Sequence, residues 1–159
     1  DRVRAASRNG KLSRNTGIVS FGTNGTPYEL QAAQIDIGLD HMDEWQARRK
    51  HIHHHYTEEF KNLPFEIIHP NDYCESNYHK FSVLSEDRNE LVNFLADHGI
   101  QATLQYTDNF AEFFGSDKTF PNTEKFCKNI IVLPNHAWLT DAEVEKVAAT
   151  VNDFYKIKQ

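Results

Sequence analysis

From Pro27 to about Leu63 apolar residues recur at helical spacing, and Pro64 closes the run. Leu30, Ala33 and Ile37 mark one helical face. Met42, Trp45, Ile52, Tyr56, Phe60 and Leu63 mark the face of a second, longer helix, with a bend predicted near Gly38 and Asp40. This helical connection divides the chain into a front segment of residues 1–26, a linker of 27–63 and a remainder of 64–159.

The remainder alternates strand and helix signals. Phe65 to Ile68 and Tyr78 to Leu84 read as strands, separated by a polar turn at Pro70-Asn71-Asp72. Asp87 and Glu90 form a predicted capping pair for a helix through Leu91, Phe94 and Leu95, which Gly99 stops. Ala102 to Tyr106 is a third strand candidate, and Asn109 to Phe114 an aromatic loop or helical turn. Thr123 to Lys128 reads as a helix and Ile130 to Leu133 as a strand. Leu139-Thr140-Asp141-Ala142-Glu143-Val144 is a capping box with a hydrophobic staple. Behind it, Val144, Val147, Ala148, Val151 and Phe154 share one helical face. The implied class is α+β, with helices layered on a small sheet.

The front segment ends in a loop of unusual chemistry. Residues 1–9 suggest a short helix stopped by Gly10, followed by a polar loop through Thr26, long enough to imply function or an absent partner surface. Within it, Gly22 and Gly25 bracket Asn24 directly ahead of a helix start. Thr26 fits the N-cap, Pro27 the first helical position and Glu29 the third residue after the cap. The glycines allow close backbone approach or a positive φ, so Asn24 is offered on a fixed loop beside N–H groups that favour anions. Arg2, Arg4, Arg8, Lys11 and Arg14 make this opening basic, a solvated face or a small anion-binding patch.

Composition excludes several classes of function. A net charge of −6 argues against general phosphate-backbone binding, so no nucleic-acid partner is expected. No apolar run approaches the ~20 residues that span a bilayer, and no membrane partner is expected. Cys74 and Cys127 lack C-x-x-C spacing and read as reduced thiols of a cytoplasmic protein. His51 and His55 form an i, i+4 pair in a cluster with His53 and His54, but no carboxylate completes an H-E-x-x-H pattern. The cluster is expected on the exposed part of the long helix, and no metal is assigned.

Several of these segments, taken in order, resemble the DegT/DnrJ/EryC1/StrS family of pyridoxal-phosphate sugar aminotransferases. Gly22 to Ala33 resembles that family's G-x-N-x-R-x-x-E-x-Q-A-A segment, and Arg48-Arg49 the Arg-Arg pair on the following long helix. Tyr78-His79-Lys80-Phe81, the helix from Asn89 to Ile100 and the run from Leu133 to Val144 match in the same order. The resemblance implies the small C-terminal domain of a fold type I enzyme, with long helices on a mainly antiparallel sheet. It implies a homodimer, a nucleotide-sugar substrate, an amino donor and pyridoxal 5′-phosphate.

Family members are about twice this length or more, and their cofactor lysine lies upstream of the matching region. The chain opens on Asp1 and its single methionine, Met42, is internal, so a C-terminal portion is expected, carrying no catalytic residue and inactive alone. By resemblance, Asn24 reaches the cofactor phosphate in the neighbouring subunit. Thr26, Gln105 and Tyr106 fall at substrate-binding positions. Thr26 replaces an arginine, Gln105 a histidine, and Phe110 stands where many members have a second histidine. Those departures keep open a non-catalytic dimerisation or binding role; a cofactor-dependent sugar dehydratase of the same fold also stays open, distinguished by what replaces the upstream lysine.

Overall fold

A computed structural model describes residues 2–13, 15–71, 73–115 and 117–158. Asp1 of the expected first helix, Arg14 of the basic opening and Asp72 of the expected turn lie outside them. The chain separates into two compact units, Asp1–Met42 and Asp43–Gln159.

The first unit contains α1 (Arg2–Ala6) and α2 (Glu29–Asp40). Between them the loop folds back on the end of α1. Thr23 N–H donates to Ala6 O at 2.7 Å, Gly25 N–H to Ser7 O at 2.9 Å and Asn9 N–H to Thr23 O at 3.0 Å. The helix start differs from the sequence expectation. Thr26 is not the cap, because its hydroxyl donates to Ser7 O at 3.1 Å and ties the residue into the extended strap. The cap is Tyr28, whose N–H donates to Gln31 Oε1 at 2.9 Å, and Pro27 lies before the helix. Gly38 and Asp40 stay helical, and the break comes at His41. Every residue of α2 except half-buried Gly38 is exposed, including Leu30 and Ile37.

The second unit opens at Asp43, the second residue of α3 (Met42–Phe60), followed by β1 (Glu66–Ile67), β2 (Phe81–Leu84) and α4 (Arg88–Asp97). Then come α5 (Phe110–Phe113), α6 (Pro121–Asn129), β3 (Ile130–Leu133) and α7 (Asp141–Ile157). The sheet is antiparallel in the order β1-β2-β3, with Ile67 opposite Val83 and Phe81 opposite Leu133. Strand β2 starts later than expected because Tyr78 has φ 50°, outside the extended region.

Ala102 to Tyr106 does not form a full strand. Only Thr103 pairs, exchanging two backbone hydrogen bonds of 2.9 Å with Val132. Tyr106, at φ 56°, turns the chain away from the sheet edge.

One core joins α3, the sheet, α4 and α7. Ile52, Tyr56, Phe60, Phe81, Val83, Leu91, Leu95, Ile131 and Leu133 are buried there with the predicted face of α7. Burial of each Leu, Ile, Val or Phe contributes about 1.5–3 kcal/mol relative to exposure. Two signals from the sequence fix the helix ends around that core. Gly99, at φ 73°, stops α4, and the Thr140–Glu143 capping box starts α7. At the start of α4, by contrast, the Asp87 side chain makes no cap hydrogen bond, because Lys158 Nζ takes its Oδ1 at 2.6 Å.

Candidate functional site

In the first unit the strap presents Asn24 outward while holding its backbone. Arg8 and Asn24 form an antiparallel bridge, and the Asn24 side chain is exposed. Gly22 is required by proximity: a Cβ there would lie 2.3 Å from Gly10 N and 2.6 Å from Ala6 O. Gly25 is not under the same constraint, since its nearest contact would be Thr23 Oγ1 at 3.5 Å.

Asn24 and Thr26 share the wall of a cavity of about 660 Å³ with Arg8 and Lys11. Two cations, a carboxamide and a hydroxyl therefore converge on one space. The cations and the carboxamide N–H groups suit a phosphate group, which accepts hydrogen bonds and carries the opposite charge; the Thr26 hydroxyl already donates to Ser7 O. In the sequence Arg8 and Lys11 were visible only as part of a basic opening, without the fold that brings them beside Asn24.

In the second unit Gln105 and Tyr106 are joined through Lys80. The ammonium of Lys80 donates to Gln105 Oε1 and lies 5.2 Å from the centroid of the Tyr106 ring. Lys80 belongs to the segment leading into β2, and its pairing with Gln105 across the chain was not legible from spacing. Lys80 and Gln105 line a cavity of about 620 Å³ at the end of the sheet where β2 begins and β3 ends. Phe110 is exposed, as are Phe113 and Phe114 beside it.

The histidine cluster departs from its expected placement. His53 is buried, at 6% exposure, because its ring inserts between aromatic neighbours. Its centroid lies 4.9 Å from those of both Tyr78 and Phe81. Burial, followed by the nearby His69 and His54, pushes its pKa down to about 4. His55 is half-buried, with its buried Nε2 3.3 Å from Glu145 Oε1. Among the described residues no group of three or more His, Cys, Asp or Glu side chains is arranged to hold a metal ion. Cys74 and Cys127 are both free thiols. Among the described residues no helix is long and apolar enough to cross a membrane.

Comparison with known proteins places this architecture. The model of the DegT/DnrJ/EryC1/StrS aminotransferase family matches residues 1–152. The chain is 30% identical over 137 residues to the erythromycin biosynthesis sensory transduction protein EryC1 of Saccharopolyspora erythraea, covering 82% of this chain and 37% of that protein. It is 28% identical over 139 residues to a dTDP-3-amino-3,6-dideoxy-alpha-D-galactopyranose transaminase of Aneurinibacillus thermoaerophilus, covering 84% and 38%. The structure of DesV from S. venezuelae superposes with a TM-score of 0.87 at 25% identity, over 98% of this chain and 43% of that one. A Streptococcus pneumoniae sugar aminotransferase, Spr1654, solved in its PMP-form, gives a TM-score of 0.80 at 25% identity over 97% and 42%. The chain thus spans about two fifths of the length of these relatives. Its helix-rich fold around a small antiparallel sheet corresponds to that part of fold type I sugar aminotransferases. On sequence and fold together, the chain belongs to the DegT/DnrJ/EryC1/StrS aminotransferase family.

Proposed function

We propose that this chain works as the C-terminal part of a cytoplasmic, homodimeric pyridoxal-phosphate aminotransferase acting on a nucleotide-linked keto-sugar. The observation that carries the reading is the convergence of Arg8, Lys11, Asn24 and Thr26 on one cavity. In this reading Asn24 donates its amide hydrogens to the cofactor phosphate held in the neighbouring protomer. Arg8 and Lys11 hold the surrounding potential positive. Thr26 contributes a hydroxyl on the substrate side in place of the family's guanidinium, which weakens the anion grip at that position. Gln105 and Tyr106 orient the sugar nucleotide, with Gln105 itself held by Lys80. Residues 1–26 then serve as the tail of the cofactor domain and the loop completing the partner's site, 27–63 as the connection, and 64–159 as the small domain.

The cofactor, when bound, supplies the electron sink for moving an amino group from a donor to the sugar carbonyl. The residues here bind and orient; none is assigned proton transfer. The reading predicts that the chain alone does not turn over.

The test uses the gene product read upstream of Asp1. A lysine at the cofactor position supports transamination, a histidine dehydration, and no cofactor-binding half a binding role. Protein carrying the lysine is expected to hold pyridoxal phosphate with a bound-cofactor absorption band that changes on addition of glutamate. Replacing Asn24 with Ala is expected to lower cofactor retention without loss of secondary structure. An unchanged cofactor affinity in that variant overturns the role given to Asn24. A non-catalytic binding role is the second reading, favoured by the exposed Phe110 and by Gln105 at positions where family members carry histidine.

A further inference from the structure

The cavity at the end of the sheet carries more charge than the reading of Gln105 accounts for. It holds about 620 Å³, within the range of small-molecule sites. Four parts of the second unit build it: the entry to β2, the segment from Gly99 to Gln105 after α4, the exit of β3 and the first turns of α7. Lys80 and Lys146 both line it, with His79 and His136.

Among the described residues neither lysine is held in an ion pair. Lys80 donates to a neutral amide oxygen of Gln105, and among the described residues no carboxylate lies within ion-pair distance of Lys146. Lys146 Nζ lies over Gly99, 3.8 Å from where a Cβ would stand. The cavity's carboxylate, Glu143, is committed elsewhere: its Oε2 accepts from Thr140 N–H and Oγ1, both at 2.8 Å. Two lysine charges therefore face one space against the single carboxylate of Glu143, which is ionised and held at the Thr140 cap, so the lining keeps a net positive charge and an entering anion meets both lysines.

A second observation points the same way. Asn135 lines the cavity and is only 7% exposed. Its Nδ2 donates to Tyr78 O at 3.0 Å, which fixes the amide orientation and leaves Oδ1 as the acceptor. That buried oxygen has no hydrogen-bond partner among the described residues. A buried acceptor without a donor is costly, and a hydroxyl-bearing ligand would satisfy it. Next to the cavity, the ring of His136 lies 6.2 Å from that of exposed Trp138.

We propose that this cavity binds a phosphate ester carrying hydroxyl groups, with Lys80 and Lys146 holding the phosphate and Asn135 Oδ1 accepting from a hydroxyl. For the identity of the ligand the inference rests on the reading of Gln105 as a substrate residue; phosphate binding itself does not. The source is the diphosphate of the nucleotide-linked sugar or a separate phosphorylated metabolite.

The chain is titrated with inorganic phosphate and then with thymidine diphosphate. Tryptophan fluorescence and the amide NMR shifts of Gly99, Asn135 and Lys146 are followed. Saturable binding is expected, with those shifts moving together. Lys80→Met and Lys146→Met are each expected to weaken it about 5- to 10-fold, and Lys80→Arg to retain most of it. Lys50→Met, an exposed change of the same charge on α3, is expected to leave affinity unchanged. Raising the salt from about 0.05 to 0.5 M weakens an ionic site of this kind.

No saturation by about 10 mM, or equal affinity in the Lys80→Met/Lys146→Met variant, overturns the inference. In the longer protein, displacement of the diphosphate by a nucleotide-linked sugar identifies the substrate as source. Simultaneous binding identifies a separate ester. Phosphate binding in a protein that shows no reaction with glutamate would leave this site standing and remove the transamination reading.

Discussion

The hydroxyls of Ser85 and Tyr155 lie 2.7 Å apart in the core of the second unit. Ser85 stands just after β2, and its Oγ also accepts from Asp87 N–H at 3.1 Å, at the start of α4. One small polar contact thus ties a strand end and a helix start to α7. Burial raises the pKa of Tyr155 above its ordinary value, so the phenol stays protonated and able to donate. Tyr155→Phe is expected to cost about 1–2 kcal/mol in urea denaturation, because it leaves the buried Ser85 oxygen short of a partner. The double variant with Ser85→Ala should cost less than the sum of the two single changes. Strict additivity would show that the hydroxyls do not interact.

The start of α7 offers an independent check. Thr140 and Glu143 satisfy each other's backbone N–H groups, and these hydrogen bonds from Thr140 hold the Glu143 carboxyl below its usual range. Thr140→Ala is expected to destabilise by about 1 kcal/mol, the ordinary cost of losing a cap. A lowered folded pKa contributes stability that is present above the unfolded value and lost as pH falls through the folded one. Glu143→Gln should therefore flatten the acid limb of the stability curve. An unaltered limb would exclude Glu143 from acid unfolding.

His53 has the opposite chemistry and acts in a higher pH window. Its folded pKa of about 4 lies below the ordinary 6.5, so between these values the unfolded chain binds the extra proton. Stability should be unaffected by this group near pH 7 and should fall as pH drops from about 6.5 towards 4. His54, His69 and Glu58 face the same small cavity, and the two histidines add repulsion once charged. Denaturation midpoints at pH 7.5 and 5 measure the effect. His53→Leu is expected to shrink the difference, and a difference unchanged by that substitution would place its origin elsewhere.

The two glycines around Asn24 should respond differently to substitution. Gly22→Ala forces a methyl against Gly10 N and Ala6 O, backbone atoms that cannot yield without moving the strap. Gly25→Ala meets only ordinary contacts. Amide hydrogen exchange at Thr23 and Gly25 should rise sharply in the first variant and little in the second. Equal exchange in both would remove the packing explanation.

Much of the second unit was legible in the sequence because its signals are local. The α7 face, the Thr140 cap and the Gly99 stop depend on residues three or four apart, and each appears as read. The misreadings arose where a distant partner decided the outcome. Thr26 had the composition of a cap, but Ser7 claims its hydroxyl from nineteen residues away. Asp87 likewise loses its capping role to Lys158 at the far end of the chain. His53 occupies a helix position that polarity alone assigns to solvent, yet Tyr78 and Phe81 enclose it. The same limit applies to the sites: Asn24 was visible as a residue on a glycine-bracketed loop, whereas its neighbours Arg8 and Lys11 needed the fold. Lys80 drew attention only as part of a matching segment, and its grip on Gln105 is a contact between separate stretches of chain.

At position 24 the main chain alone is fastened, through the bridge to Arg8, while the carboxamide stands free of the scaffold. Mutational drift there can exchange one head group for another at almost no conformational penalty. A replacement at this position therefore alters the chemistry of the exposed head group while the backbone strap that carries it stays intact.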